Sequence, residues 1–176
     1  MAGSSTGRFY FDLSSPAAYL AAERVNHVMG EVPEWVPVRF ELSFRCAEEV
    51  AAYREDVERT ARAQGVQRMV WPDPFPSDSE FAMLVATYAK QIGRAVAFSL
   101  AAFRQAFAAG RDLSERDNVL IAAAACEMHP AAVLKGAELR GTRERLRAAT
   151  DEARAAGVSD TPAIVTAAGE VVEVPA

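Results

Sequence analysis

Residues 8–20 read RFYFDLSSPAAYL, a strand that ends abruptly at the start of a helix. Phe9, Tyr10, Phe11 and Leu13 are aromatic or apolar, the side chains that suit a buried strand. Ser14-Ser15-Pro16 breaks that run. Serine is a preferred N-cap, and proline fits the first helical position, where no intrahelical N–H is needed. The helix that follows carries Ala18, Ala21, Ala22, Val25 and Met29 on one face and meets Gly30 where a C-terminal cap belongs. The Ser15 hydroxyl therefore stands at the positive end of a helix, a place that suits a thiolate or a carboxylate. Capping alone explains the same serine.

Beyond this helix, Glu31–Pro37 is a connection punctuated by Pro33 and Pro37. Val38–Leu42 alternates apolar and polar residues and reads as the second strand. A connection of that length makes the two strands parallel, joined by a right-handed crossover. From Cys46 to Gly157 the pattern predicts helices only. Cys46, Val50, Tyr53, Val57, Ala61 and Gln64 share one stripe, which Gly65 ends. The segment VWPDPFPSDSE at 70–80 is broken by proline. Ser77 with Glu80, and later Ser114 with Asp117, have the spacing of capping boxes that open new helices. Arg94–Ala109 is the most apolar segment and is expected at the centre of the helical block. His129-Pro130 separates two further helices, and Thr142–Ala156 forms the last one. The chain then returns to strands: Ala163–Thr166 and Glu170–Val174 flank Ala167–Gly169 as a hairpin.

The composition narrows the function. With 176 residues, 51% hydrophobic, and a net charge of -5, the chain is sized for one globular domain with a real core. It lacks the basic face that binding to nucleic acid would need. No apolar run is long enough to span a membrane. Residues 1–7, MAGSSTG, lack the pattern of a signal peptide and read as a flexible lead-in. Cys46 and Cys126 are far apart and form no CxxC pair, so two buried free thiols in a reducing cytoplasm are expected. No metal-ligand spacing is present, so no metal is expected.

FYFDLSSPAAYL resembles the opening of the DsbA-type thioredoxin-fold proteins, in particular the branch of 2-hydroxychromene-2-carboxylate isomerases and kappa-class glutathione transferases. Asp12, Ser15 and Pro16 match its D-x-x-S-P signature. Tyr53, Asp56 and Arg59 followed by Gly65 are similar to its Y-x-x-D-x-x-R helix. Trp71-Pro72 and Phe75-Pro76 are similar to its W-P-x-x-F-P bend, and the run from Thr142 to Thr161-Pro162 resembles its last inserted helix and cis-proline.

The resemblance implies an α/β, thioredoxin-like fold: a β-α-β … β-β sheet interrupted by a large all-helical insertion. Residues 8–44 and 157–176 would form the discontinuous thioredoxin-like domain, and 45–156 the inserted helical subdomain. The family's C-terminal helix is expected to be missing. Unless the inserted block covers it, that would leave apolar sheet surface open and favour a homodimer that buries it, or a protein marginal alone.

The resemblance also implies a glutathione-dependent isomerase or transferase acting on a small aromatic or unsaturated acid. Ser15 would donate a hydrogen bond to the glutathione sulfur, favouring the thiolate nucleophile. Thr161 and Pro162 would hold the glutathione chain. Asp12, Tyr53, Arg59 and Trp71 would stand on the substrate side. Ser15 and Ala18 occupy both thiol positions of a CxxC, which excludes disulfide exchange by that route. The alternative is a degenerate thioredoxin-fold domain that binds a ligand or partner without catalysis.

Overall fold

The aromatic run near the start of the chain takes the centre of a sheet. The computed structural model describes residues 6–25, 32–66 and 69–172. Strand β1 (Arg8–Phe11) lies between β2 (Glu34–Pro37), which is parallel to it, and β3 (Ala163–Val165), which is antiparallel. Strand β4 (Val171–Val172) pairs antiparallel with β3 at the edge. Seven helices complete the described residues: α1 (Pro16–Ala22), α2 (Ala47–Ala63), α3 (Glu80–Gln91), α4 (Ala95–Phe107), α5 (Arg116–Ala125), α6 (Pro130–Glu138) and α7 (Arg140–Ala155).

Strand alternation divides the core in two. Phe9 and Phe11 meet Trp35 edge-on, with ring centroids 5.0 and 5.6 Å apart. Phe103 of α4 packs on Phe11 at 5.9 Å, and Tyr19 of α1 leans on Phe103 and Phe107 at 6.1 and 5.9 Å. On the opposite face Tyr10, Val36, Ala163 and Val165 are buried with Ala153 of α7 and Val158. Truncating a wholly buried ring such as Phe11 to alanine typically costs about 3–5 kcal/mol, more than any surface contact in the chain could restore.

Several sequence expectations are corrected. The second strand is Glu34–Pro37, not Val38–Leu42. Pro37 is tolerated because β2 is an edge strand, and Trp35 and Val36 supply the pairing side chains. The alternating residues after it bond outside any ladder. Val38 N–H donates to Phe11 O at 3.0 Å, Arg39 N–H to Thr150 Oγ1 at 3.0 Å, and Phe40 N–H to Asp12 Oδ2 at 3.1 Å.

Neither capping box forms. Helix α3 begins after Ser79, and Ser77 Oγ donates to Pro74 O; α5 begins after Glu115, and Ser114 Oγ donates to Asp112. Cys46 is exposed rather than buried, because it is the extended N-cap of α2 and not part of its stripe; Cys126 is buried. Helix α1 stops at Ala22, capped by Glu23; Ala18, Ala21 and Ala22 within it and Val25 beyond it are buried, while Met29 and Gly30 lie outside the described residues.

The sheet surface expected to stand open is largely covered. Phe9, Phe11, Trp35 and Ile164 are buried in one cluster with α1 and the helices between β2 and β3. Among the apolar residues of the described strands, only Val171 and Val172 stay exposed, at 46% and 41%. No helix of the described residues is long and apolar enough to cross a membrane.

Helix α6 comes so close to α3 that only a glycine fits between them. A Cβ on Gly136 would overlap the Tyr88 ring, 2.7 Å from its Cγ. Alanine has the better helix propensity by about 1 kcal/mol, but overpacking of this kind typically costs about 1–3 kcal/mol. Gly136→Ala is therefore expected to lower stability in urea unfolding, and adding Tyr88→Ala to recover part of the loss. A more stable Gly136→Ala protein would contradict this packing.

Candidate functional site

The site begins with a turn that the sequence forces and a carboxylate that holds it. After β1 the chain reverses, and Ser15 N–H donates to Asp12 O at 3.1 Å. The Asp12 side chain is wholly buried, at 0% exposure. Its Oδ1 accepts from Ser14 N–H (2.9 Å), Ser14 Oγ (2.9 Å) and Ser79 Oγ (2.8 Å), and its Oδ2 from Phe40 N–H (3.1 Å). One side chain thus ties together the β1–α1 turn, the segment after β2 and the start of α3. Leu13 N–H adds a contact to Met83 Sδ of α3 at 3.2 Å. Asp12 is therefore a framework residue, not one that faces a substrate.

Held by this turn, Ser15 caps α1. Its Oγ accepts from Ala18 N–H at 3.1 Å and donates to Thr161 O at 3.1 Å. Thr161 comes from the far end of the chain, 146 residues away, and its peptide bond to Pro162 is cis. Thr161 N–H donates to Asp160 Oδ1 at 2.7 Å, while Thr161 Oγ1 is buried with no hydrogen-bond partner among the described residues.

From α2, Tyr53 reaches the same place, and its hydroxyl interacts with the Ser15 side chain and the Ala17 N–H. Burial, with Asp160 nearby, pushes the Tyr53 phenol up to about 12, although the contacts to Ser15 and Ala17 pull it partly back. The phenol keeps its proton at neutral pH and can act as a hydrogen-bond donor.

An aromatic wall continues from Tyr53. Phe75 stacks on it with ring centroids 6.4 Å apart and planes 9° from parallel. Phe44 lies 5.2 Å from Tyr53, and Trp71 meets Phe75 edge-on at 4.8 Å. Trp71 Nε1–H donates to Glu58 Oε1 at 2.8 Å. The Arg54 guanidinium covers the wall, 5.1 Å from the Trp71 ring centre and 5.2 Å from that of Phe75.

Of the residues singled out in the sequence, the fold brings Ser15, Thr161, Pro162 and Tyr53 together, and Trp71 joins through Phe75. Arg59 is not brought there: it is 65% exposed and paired with Asp56 at 3.1 Å. Sequence reasoning passed over Arg54, Phe44, Phe75 as part of the wall, and Asp160. A signal existed for Arg54, which directly follows Tyr53 on α2. Among the described residues no group of three or more His, Cys, Asp and Glu is placed to hold a metal ion.

This junction of a serine-capped helix start with the residue before a proline, built on a sheet of order β2-β1-β3-β4, matches a known family model over residues 8–174, described as a DSBA-like thioredoxin domain. The chain belongs to this DsbA-like family. Among solved structures, 2-hydroxychromene-2-carboxylate isomerase superposes with a TM-score of 0.81 at 18% identity, covering 94% of this chain and 87% of the isomerase. A protein described as a probable DsbA oxidoreductase from Streptomyces coelicolor gives a TM-score of 0.74 at 19% identity, covering 95% of this chain and 82% of its own. The DsbA disulfide interchange protein from Klebsiella pneumoniae gives 0.57 at 10% identity, covering 97% and 76%. Such identities establish the shared fold and nothing finer. No curated protein matches the chain by sequence at a significant level.

The buried Asp12 carboxyl has a measurable consequence. Burial pushes it above the ordinary carboxylate range, and its donors pull it only part of the way back. The folded protein then keeps this proton at pH values where the unfolded chain has lost it. The Asp12 contribution is thus most favourable below the ordinary carboxylate range and declines as pH rises through the window up to the raised value. Asp12→Asn should remove that slope. It should also cost about 1–3 kcal/mol, because an amide NH2 then faces hydrogen-bond donors. Urea unfolding of both proteins from the carboxylate range to neutrality tests this; two parallel pH profiles would show that Asp12 does not carry the dependence.

Proposed function

We propose that this DsbA-like chain is a glutathione-dependent isomerase or transferase acting on a small aromatic or unsaturated acid. The observation that carries the reading is the Ser15–Thr161 hydrogen bond of 3.1 Å, which sets a hydroxyl, and no thiol, at the junction of this fold. A serine cannot exchange disulfides, but it can donate its single proton to a sulfur. When glutathione binds, Ser15 Oγ–H turns from Thr161 O to the thiolate. Tyr53, still protonated, provides a second donor beside it. Thr161, whose carbonyl is then released and whose Oγ1 has no partner among the described residues, would face the ligand chain. Bound glutathione would supply a nucleophilic thiolate for reversible addition to an unsaturated carbon, its C–S bond formed and broken again with no net oxidation or reduction, while Ser15 and Tyr53 hold the sulfur by hydrogen bonds. The serine and alanine at positions 15 and 18, where a CxxC would place thiols, support this choice over a disulfide-exchange role.

A second reading, a degenerate domain that binds without catalysis, is favoured by one observation. Ser15 is only 1% exposed, and its hydroxyl already makes two hydrogen bonds. Calorimetry separates the two readings. Glutathione at millimolar concentration is expected to bind the wild type; no heat of binding there would leave the non-catalytic domain as the reading.

Ser15→Ala removes a charge-assisted hydrogen bond typically worth about 1.5–3 kcal/mol, hence a roughly tenfold to hundredfold loss in rate. It also removes a cap worth about 1 kcal/mol of stability, so the melting temperature is measured beside the rate. Ser15→Cys is expected to form a mixed disulfide with oxidised glutathione, read by mass spectrometry: the new thiolate attacks one sulfur and the other leaves as reduced glutathione. Full activity in a folded Ser15→Ala protein would reduce Ser15 to a cap.

A further inference from the structure

We infer that Arg54 is the anchor for the carboxylate of an aromatic acid whose ring lies along the wall of Phe44, Tyr53, Trp71 and Phe75. The inference rests on reading the Ser15–Thr161 junction as a ligand site, and it names the group that fixes the second ligand's orientation.

Arg54 differs from most arginines of this chain. Its neighbours Arg45, Arg59 and Arg62 on and around α2 all pair with carboxylates of the same helix. Arg54 pairs with none among the described residues, and its Nε is buried without a hydrogen-bond partner. Glu58 stands one turn further along α2, the spacing at which such pairs form. That carboxylate is already engaged: it accepts from Trp71 Nε1 at 2.8 Å and lies 3.8 Å from Arg62. The guanidinium carbon instead lies 5.1 and 5.2 Å from the centres of the Trp71 and Phe75 rings. Cation–π contact holds the guanidinium beside the rings, and its planar N–H fork matches a carboxylate bidentately.

The surroundings select both the ligand and its direction. Phe44, Tyr53, Arg54, Trp71 and Phe75 are all partly exposed, so a planar apolar group has rings to lie against. Asp160 acts on Tyr53 at the Ser15 end of the wall, and its negative charge repels a carboxylate there. The opposite end carries the unpaired cation. An aromatic acid is thereby held with its carboxylate at Arg54 and its ring extending along the wall toward Ser15.

Cinnamate and its neutral amide, cinnamamide, test this on the full chain without glutathione. Binding is followed by NMR through the Trp71 indole N–H, which is distinguished from that of Trp35 by its loss in Trp71→Phe. The expected result is a shift of the Trp71 signal and at least about tenfold tighter binding of cinnamate than of cinnamamide. Arg54→Met keeps an apolar stem over the rings and should abolish that preference. Arg54→Lys keeps the charge without the fork and should retain part of it, which guards against loss of fold in the methionine variant. Equal affinity for acid and amide in the wild type, or an undiminished preference in a folded Arg54→Met protein, overturns the inference.

Titrating the wild type with each ligand alone separates this outcome from the proposed function. If the wild type prefers cinnamate yet binds no glutathione, the Arg54 subsite stands and the glutathione reading falls. If it binds glutathione with no preference for the acid, the reverse holds.

Discussion

A single buried carboxylate organises the working end of this molecule. Asp12 accepts hydrogen bonds from donors on the β1–α1 turn, on the extended segment after β2 and at the start of α3. Each of these segments could otherwise move independently, since none is held by a ladder at that point. Burying a carboxyl is expensive unless its lone pairs are satisfied, and here donors from three directions satisfy them. The Ser15 turn is consequently a rigid part of the scaffold. A hydroxyl placed on a loose loop could not hold a 3.1 Å bond to a carbonyl 146 residues away.

The site itself combines two kinds of contact. At one end Ser15, Thr161 and Tyr53 bring together hydroxyls and backbone groups, the donors that a thiolate requires. Away from that end runs a wall of half-buried rings capped by a cation. Small-molecule sites commonly pair an apolar lining with a few placed polar groups. The two halves meet at Tyr53, whose ring belongs to the wall and whose hydroxyl belongs to the junction. Helix α2 reaches both ends, because consecutive residues on it place Tyr53 at the junction and Arg54 beside the Trp71 and Phe75 rings.

Much of this was legible along the chain because the signals are local. The strand-to-helix switch at Ser14-Ser15-Pro16 depends on β-propensity, capping and the fixed φ of proline, and all three act within a few residues. The helices between Cys46 and Gly157 follow from the spacing of their apolar residues. The pairing partner of β1 was misread for an equally physical reason. Alternation in Val38–Leu42 looks like a strand, yet its backbone donors find Asp12 and Thr150 side chains, which leaves the ladder to the shorter Glu34–Pro37 segment. The two apparent capping boxes failed because their serines found other acceptors: Ser77 Oγ donates to Pro74 O and Ser114 Oγ to Asp112.

By itself the sequence determined the fold class, the serine at the helix start and the absence of a CxxC thiol pair, since residue identity and short spacing settle each of these. Only the tertiary structure decided which residues meet. It placed Thr161 against Ser15, sent Arg59 to solvent, buried Asp12 as a framework group and laid Arg54 across Trp71 and Phe75. Those outcomes depend on tertiary contacts: α2 packs beside α1, and the proline-broken bend brings Trp71 and Phe75 to Tyr53 and Arg54. A helical period shows which residues share a face, but not which distant side chain that face will meet.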